Sequence, residues 1–230
     1  AEFSRCGTLW VASNDEEFAR IPEKIARLAA SGVVAERIDA RELYRLEPAL
    51  APGLAGGMRV ANEAVVFPPA VARHGIDQAI ARGAVYHQDA VFRLEDHGVL
   101  LRGGRRLTGP VLLANGGALP SLLPGLPVRL RKGHLVITDR YPGVIRHQLL
   151  ELGYADSAHG GDASSVAFNV QPRPTGQILI GSSREYDAID TDVSMAMIRR
   201  MLERSFRFLP QLRELDAIRL WTGFRPVSVD

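Results

Sequence analysis

Between residues 84 and 117 the sequence changes texture, and the change argues against one regular sheet running the length of the chain. Residues 84–87, 90–94, 99–101 and 105–107 are very short runs of strand formers, separated by Asp96-His97-Gly98 and Gly103-Gly104. Separators of that kind close tight antiparallel hairpins, so the stretch predicts a β-meander. It ends in Val111-Leu112-Leu113-Ala114, a continuous apolar run of the sort buried on both faces of a parallel sheet, cut off by Asn115-Gly116-Gly117.

The flanking sequence is built from longer elements. Residues 7–12 read as an apolar strand. Ser13 and Glu16 have capping-box spacing before a helix carried by Phe18, Ile21, Ile25, Leu28 and Ala29, with Pro22 as a kink or a restart. Residues 33–38 read as a strand, after which Asp39 and Glu42 cap a short helix that Pro48 ends. Residues 69–81 predict a helix with Val71, Ile76, Ala79 and Ile80 on its buried face and Gly83 at its C-terminal cap. Beyond Pro127, strands are predicted at 128–138, 166–171, 177–181 and 218–222. One helix interrupts them, capped by Thr191 or Ser194, with Val193, Met197, Ile198, Met201, Leu202 and Phe208 as its apolar stripe. The expectation is an α+β fold, a mixed β-sheet with helices on one face, interrupted by a helix plus β-meander segment.

Composition narrows the function classes. A chain of 230 residues can bury roughly 70% of its unfolded surface, so it needs neither disulfides nor metal to fold. Lys+Arg number 28 against 26 Asp+Glu, a net charge of +2, and the basic residues are scattered among acids. No basic stripe marks a nucleic-acid partner. The single cysteine, Cys6, fits a reducing, cytoplasmic setting, and no window reaches the ~20 apolar residues of a membrane span. His74, His87, His97, His134, His147 and His159 never fall at metal-ligand spacing, and G-x-S-x-G, phosphate-loop and G-x-G-x-x-G motifs are absent. The first residue is Ala rather than Met, and Asp230 follows directly on a strand-like run, so the sequence reads as a piece of a longer chain.

Two places read as sites. One is Ala114-Asn115-Gly116-Gly117, because ligands of open α/β sheets lie beyond the carboxyl ends of strands, where glycine lets the backbone approach closely. The other is Trp221-Thr222-Gly223-Phe224-Arg225-Pro226, which sets an arginine among mainly apolar neighbours. Arginine is costly to bury unless an anion meets it, so Arg225 is either a bidentate carboxylate clamp or the partner of an acid such as Glu185 or Asp230.

Taken in order, GTLWVAS, RLAASG, ELYRLEPAL, LAGGMRV, DAVFRLE, VLLANGGA, PVRLRKGHLVI, ILIGSSREYDAID, FLPQL and WTGFRPVSVD resemble one family. It is the FAD-dependent D-amino acid oxidase-like family, which includes glycine oxidase, sarcosine oxidase and D-amino acid dehydrogenases. The resemblance spans nearly the whole chain, and the terminal W-x-G-x-R-P-x-S-x-D is its most specific piece. It implies an oxidoreductase that removes a hydride from the α-carbon of an amine-bearing acid and passes it to FAD, with no catalytic side chain required.

The same resemblance implies an organisation and a set of site residues. Residues 1–64 and 120–222 would form the substrate domain, 65–119 an inserted part of the FAD-binding α/β domain, and 223–230 a return toward it. Val91, Ala114, Asn115 and Gly116 are the implied FAD contacts, and Arg225 the implied anchor of the substrate carboxylate. Phe168 and Asn169 stand on the substrate side where many relatives have Tyr, and Ala118 and Leu130 replace a common Trp and Pro. The family's Gly-rich FAD motif is not among these residues, so the piece alone is expected to be inactive, not to retain FAD, and to leave an apolar face around Leu112 and Ala114 exposed or covered by a neighbouring molecule. The expected partner is a small amino-acid-like substrate, with homo- and hetero-oligomers both open. The alternative is a non-catalytic binding or assembly subunit that keeps the fold and has lost FAD.

Overall fold

The structure, a computed structural model, describes residues 3–154, 164–186, 188 and 190–228. The first part of the chain contains β1 (Phe3–Ser4), β2 (Thr8–Ala12), α1 (Asp15–Ala19), α2 (Ile21–Ala30), β3 (Glu36–Asp39), α3 (Ala40–Leu46), β4 (Gly56–Val60), β5 (Val65–Val66) and α4 (Pro68–Ala81). Then come β6 (Val91–Glu95), β7 (Gly98–Leu101), β8 (Arg106–Thr108) and a 3-10 turn, Gly116–Ser121. The last part holds β9 (Val128–Thr138), β10 (Gln148–Glu151), β11 (Ser164–Pro172), β12 (Ile178–Tyr186), α5 (Met195–Phe208) and β13 (Ala217–Ser228).

Eight strands make one sheet in the order β13-β9-β12-β11-β10-β2-β4-β3. Only the β10–β2 pairing is parallel, so the sheet is mixed. Side chains alternate across a strand, and β2 shows the result. Leu9 and Val11 join the core beneath α3 and α5, while Trp10 and Ala12 join a second core on the opposite face, closed by Ile21 of α2. The α5 stripe is buried as its spacing requires: Met197, Ile198, Met201 and Phe208 are all under 5% exposed. The Phe208 ring stacks on Phe168 of β11, 4.4 Å between centres.

Local signals hold with small displacements. Asp39 Oδ1 accepts from the Glu42 backbone N–H, and Ser194 rather than Thr191 caps α5, its hydroxyl accepting from Met197 N–H. The first cap lies one residue later than Ser13 and Glu16 suggest. Asn14 Oδ1 accepts from Glu17 N–H, and the Glu17 carboxylate accepts from Ser13 N–H. Pro22 marks a restart, in the first turn of α2.

Strands β6, β7 and β8 form a separate three-stranded antiparallel sheet. Gly98 makes it feasible, since a Cβ there would lie 2.0 Å from the Leu107 carbonyl oxygen. Three expectations fail in this region. Residues 84–87 and the apolar run 111–114 are not strands. A strand buried on both faces needs hydrogen-bonding neighbours and covering layers, and among the described residues no strand flanks 111–114. Val111 is 44% and Leu112 91% exposed, and Ala114 is exposed too, which is the open apolar face expected around Leu112 and Ala114. Nor is any α4 residue buried, although its periodicity is correct. In the larger sheet, β12 and β13 run on to Tyr186 and Ser228, well past their apolar stretches, because their ends are paired with β9. Among the described residues no helix is long and apolar enough to cross a membrane.

Candidate functional site

Strand β9 sorts charged side chains onto two faces. Lys132, His134 and Val136 are on the α5 side: Lys132 Nζ is 2.5 Å from Asp190, His134 accepts at Nε2 from the Ser194 N–H, and Val136 is core. Arg131, Gly133 and Leu135 are therefore on the other side. There Arg131 stands directly between Tyr186 of β12 and Arg225 of β13 in strand register. Its guanidinium donates to the Tyr186 hydroxyl and lies 4.4 Å from that ring's centre.

Arg225 is exposed, and its guanidinium reaches over Gly133: a Cβ on Gly133 would be 3.7 Å from Arg225 Nη2. Gly133 leaves the floor beneath it bare, and a Cβ there would be tight only against the Ser183 carbonyl oxygen, at 3.2 Å. Arg184 is the buried member, 7% exposed, with its guanidinium 4.8 Å from the centre of the Tyr154 ring. Tyr154 is itself fixed by Ser182, hydroxyl to hydroxyl at 3.1 Å, and by an edge-on contact with Trp10. Burial lowers the Arg184 pKa from its ordinary value; Tyr154 and Tyr186 oppose the shift, and the positive charges of Arg225 and Arg131 add to it.

Among the described residues no carboxylate pairs with Arg131, Arg184 or Arg225. Glu185, one of the acids that could have held Arg225, turns to the α5 side, with Oε2 3.5 Å from His134 Nδ1. Asp230 lies outside the described residues. Two arginine atoms here, Nε of Arg131 and Nε of Arg184, are buried without a hydrogen-bond partner, as is Oδ1 of Asn169 on β11. Alternation along β11 puts Asn169 on the arginine face and Phe168 on the other, where Phe168 is fully buried against Phe208.

The implied FAD contacts gather at a second hollow, of about 420 Å³, whose lining includes Val91, Leu112, Ala114 and Asn115. Gly116, at φ +54, opens the 3-10 turn that leans on the ends of β9 and β13. A Cβ on Gly116 would lie 3.9 Å from Pro226, and one on Gly117 would strike Leu130 at 2.3 Å. The turn thus carries the Asn115 hollow up to the residue beside Arg225. Apolar walls and bare glycine backbone fit the flat, largely apolar ring of FAD, whereas nothing among these residues provides a nest of N–H groups for its pyrophosphate.

Of the residues foreseen, Arg225 and Asn169 share a face, and Val91, Ala114 and Asn115 share a hollow; the Gly116 turn beside that hollow packs on Pro226 and Leu130, the strand neighbours of Arg225 and Arg131 whose side chains alternation puts on the other face. Arg131 and Arg184 were not foreseen. The signal for the first was the period-two series Arg129, Arg131, Gly133 inside a predicted strand. For the second there was none, since Gly181-Ser182-Ser183-Arg184 has no apolar alternation to mark it as strand.

The profile of the family described as FAD dependent oxidoreductase matches residues 1–230. Hydrogen cyanide synthase subunit HcnC of Pseudomonas aeruginosa is 26% identical over 248 aligned positions, covering 100% of this chain and 54% of that protein. An opine oxidase subunit of Rhizobium meliloti is 24% identical, covering 80% of this chain and 47% of the relative. The chain spans about half the length of these curated relatives. Among solved structures, glycine oxidase from Geobacillus kaustophilus superposes with a TM-score of 0.82 at 22% identity, over 99% of this chain and 60% of that one. Iminodiacetate oxidase from Chelativorans sp. BNC1 gives 0.80 at 22% identity, over 99% and 62%. The fold is shared with these oxidases, FAD is the family's cofactor, and the chain belongs to the FAD dependent oxidoreductase family.

Proposed function

We propose that the intact protein oxidises an amino acid or related amine-bearing acid at the α-carbon, and that this chain supplies the substrate cradle and one wall of the cofactor site. The observation that carries the reading is Arg225, a guanidinium with no acid partner among the described residues, one residue before the Pro226 on which the turn beside the Asn115 hollow packs. FAD, when bound, supplies the two-electron acceptor. Arg225 holds the substrate carboxylate through two parallel N–H donors, which fixes the α-carbon in place. Asn169 Oδ1, buried and unpaired, accepts from the substrate amine. The open space before Gly223 lets a flat ring approach the β13 backbone beside Arg225. Phe168 serves packing, holding β11 against α5.

Residues 65–119 are assigned to the cofactor domain of the intact protein, with 1–64 and 120–222 to the substrate domain and 223–230 returning toward the cofactor. The separate meander sheet supports this division. Because the pyrophosphate cradle is not encoded here, residues 1–230 alone should purify colourless. The relatives named above are subunits of hydrogen cyanide synthase and opine oxidase, which supports a hetero-oligomeric partner. In the full-length, FAD-loaded protein, Arg225→Ala should lower kcat/KM for an α-amino acid by roughly 30-fold or more with the melting temperature held. Unchanged kcat/KM, or a loss fully explained by unfolding, would remove Arg225 from the substrate site and the reading with it.

A further inference from the structure

One carboxylate accounts for Arg225, and two more guanidinium groups stand beside it. Arg131 faces Arg225 directly across antiparallel strands, where Cβ atoms are about 5 Å apart and like charges repel. Arg184 is 7% exposed, its Nε has no partner, and burial and both neighbouring charges disfavour its ionised form. A cation kept in such surroundings is an expense to the fold unless an anion joins it. No acid of the described chain does so. The group is also held rigid: Tyr154 lies against the Arg184 guanidinium and is fixed by Ser182 and Trp10, while Tyr186 holds Arg131.

Resting on the amine-oxidation reading, we propose that the substrate carries a second acid group and that Arg184, with Arg131, forms its subsite beside Arg225. The substrate class is then an amine bearing two carboxylates, either a dicarboxylic amino acid or a secondary amine with an acid on each arm. Selectivity follows from the same burial. A monoacid leaves the Arg184 fork desolvated and unmatched, and sites built to bond a charged group discriminate strongly against analogues that lack it.

The test uses the full-length, FAD-loaded protein at fixed ionic strength. Calorimetry with succinate and with butyrate measures the subsite apart from turnover, and N-(carboxymethyl)glycine against N-methylglycine measures it in catalysis. Succinate should bind roughly tenfold or more tightly than butyrate, and kcat/KM should favour the diacid amine by a similar ratio. Both ratios should fall to within about threefold in Arg184→Gln and be partly restored in Arg184→Lys, with melting temperature confirming that each variant folds. Equal binding of the two acids, or a preference that survives both Arg184→Gln and Arg131→Gln, would overturn the proposal. Turnover of N-methylglycine with no diacid preference sinks the second subsite and leaves amine oxidation standing. A diacid preference in binding without turnover of either amine does the reverse.

Discussion

The two faces of the same few strands treat charge in opposite ways. On the α5 side the buried charges sit beside opposite charge: Lys132 has Asp190, Glu151 accepts from both the Arg204 side chain and the Phe168 backbone N–H, and Glu185, though its Oε2 makes no hydrogen bond, lies 3.5 Å from His134 Nδ1. On the other side Arg131 and Arg184 lie against aromatic rings and Arg225 stands beside them, with no acid partner among the described residues. The first arrangement is what a stable core does with charge it cannot avoid. The second costs stability and makes sense when the missing charge arrives from outside. Substitutions on the two faces should therefore change different observables.

The sharpest break between them should come from Glu151→Leu. Glu151 is 1% exposed, and its removal strands the Phe168 N–H and leaves Arg204 without its acid. Loss of one member of a buried pair typically costs about 3–5 kcal/mol, so chemical denaturation should show a large drop in stability with the succinate-to-butyrate ratio intact. Arg184→Met should do the opposite. It removes an unpaired buried cation and keeps an apolar side chain of similar length, so stability should hold or rise by about 1–2 kcal/mol while the diacid preference disappears. Destabilisation by Arg184→Met comparable to that of Glu151→Leu would show that Arg184 has a structural partner and that the two faces do not differ.

How much of this contrast could be read beforehand depends on whether the signal was apolar. Helix α5 and the full span of β9 were legible because Met197, Ile198, Met201 and Phe208, and the alternation through Val136, follow the two periods that burial imposes. Arg225 was legible through its motif. Arg184 was not, because it occupies a strand end made of Ser, Ser, Arg and Glu whose pairing with β9 is fixed by tertiary contacts. The apolar run at 111–114, exposed as expected, is not a strand for the converse reason. Its hydrophobicity is what a buried strand needs, but no strand among the described residues pairs with it. Hydrophobic pattern states what a segment can bury and leaves open what will cover it.

A pH titration sharpens the comparison at intermediate size. Burial lowers the His134 pKa from its ordinary 6.5; Lys132 adds to the shift, and Glu185 and Asp190 oppose it. Its Nε2 accepts from the Ser194 N–H, which requires that nitrogen to be unprotonated. The unfolded chain takes up this proton as pH falls through about 6.5, before the folded chain does, so the stability contribution is complete above that pH and is lost below it. Between pH 7.5 and 5.5 the denaturation midpoint should fall, and it should fall less in His134→Gln. An equal fall in both proteins would assign the effect to other groups.

The smallest expected effect tests whether the α5 side is one connected unit. Ser194 caps α5 through its hydroxyl to Met197 N–H, and its own N–H donates to His134. Ser194→Ala removes the first bond and keeps the second, and a lost N-cap costs about 1 kcal/mol. Because His134 fixes the Ser194 backbone, the cap should be worth less once that anchor is gone. The double variant with His134→Gln should then lose less stability than the sum of the single losses, by an interaction of roughly 0.5 kcal/mol or more. Strict additivity would mean that the helix start is positioned by α5 packing alone. In none of the three variants should the diacid-to-monoacid ratio move, because the chain from His134 to Ser194 runs entirely on the face away from the arginines. A shift in that ratio on losing the cap would show that the balanced face positions the unbalanced one.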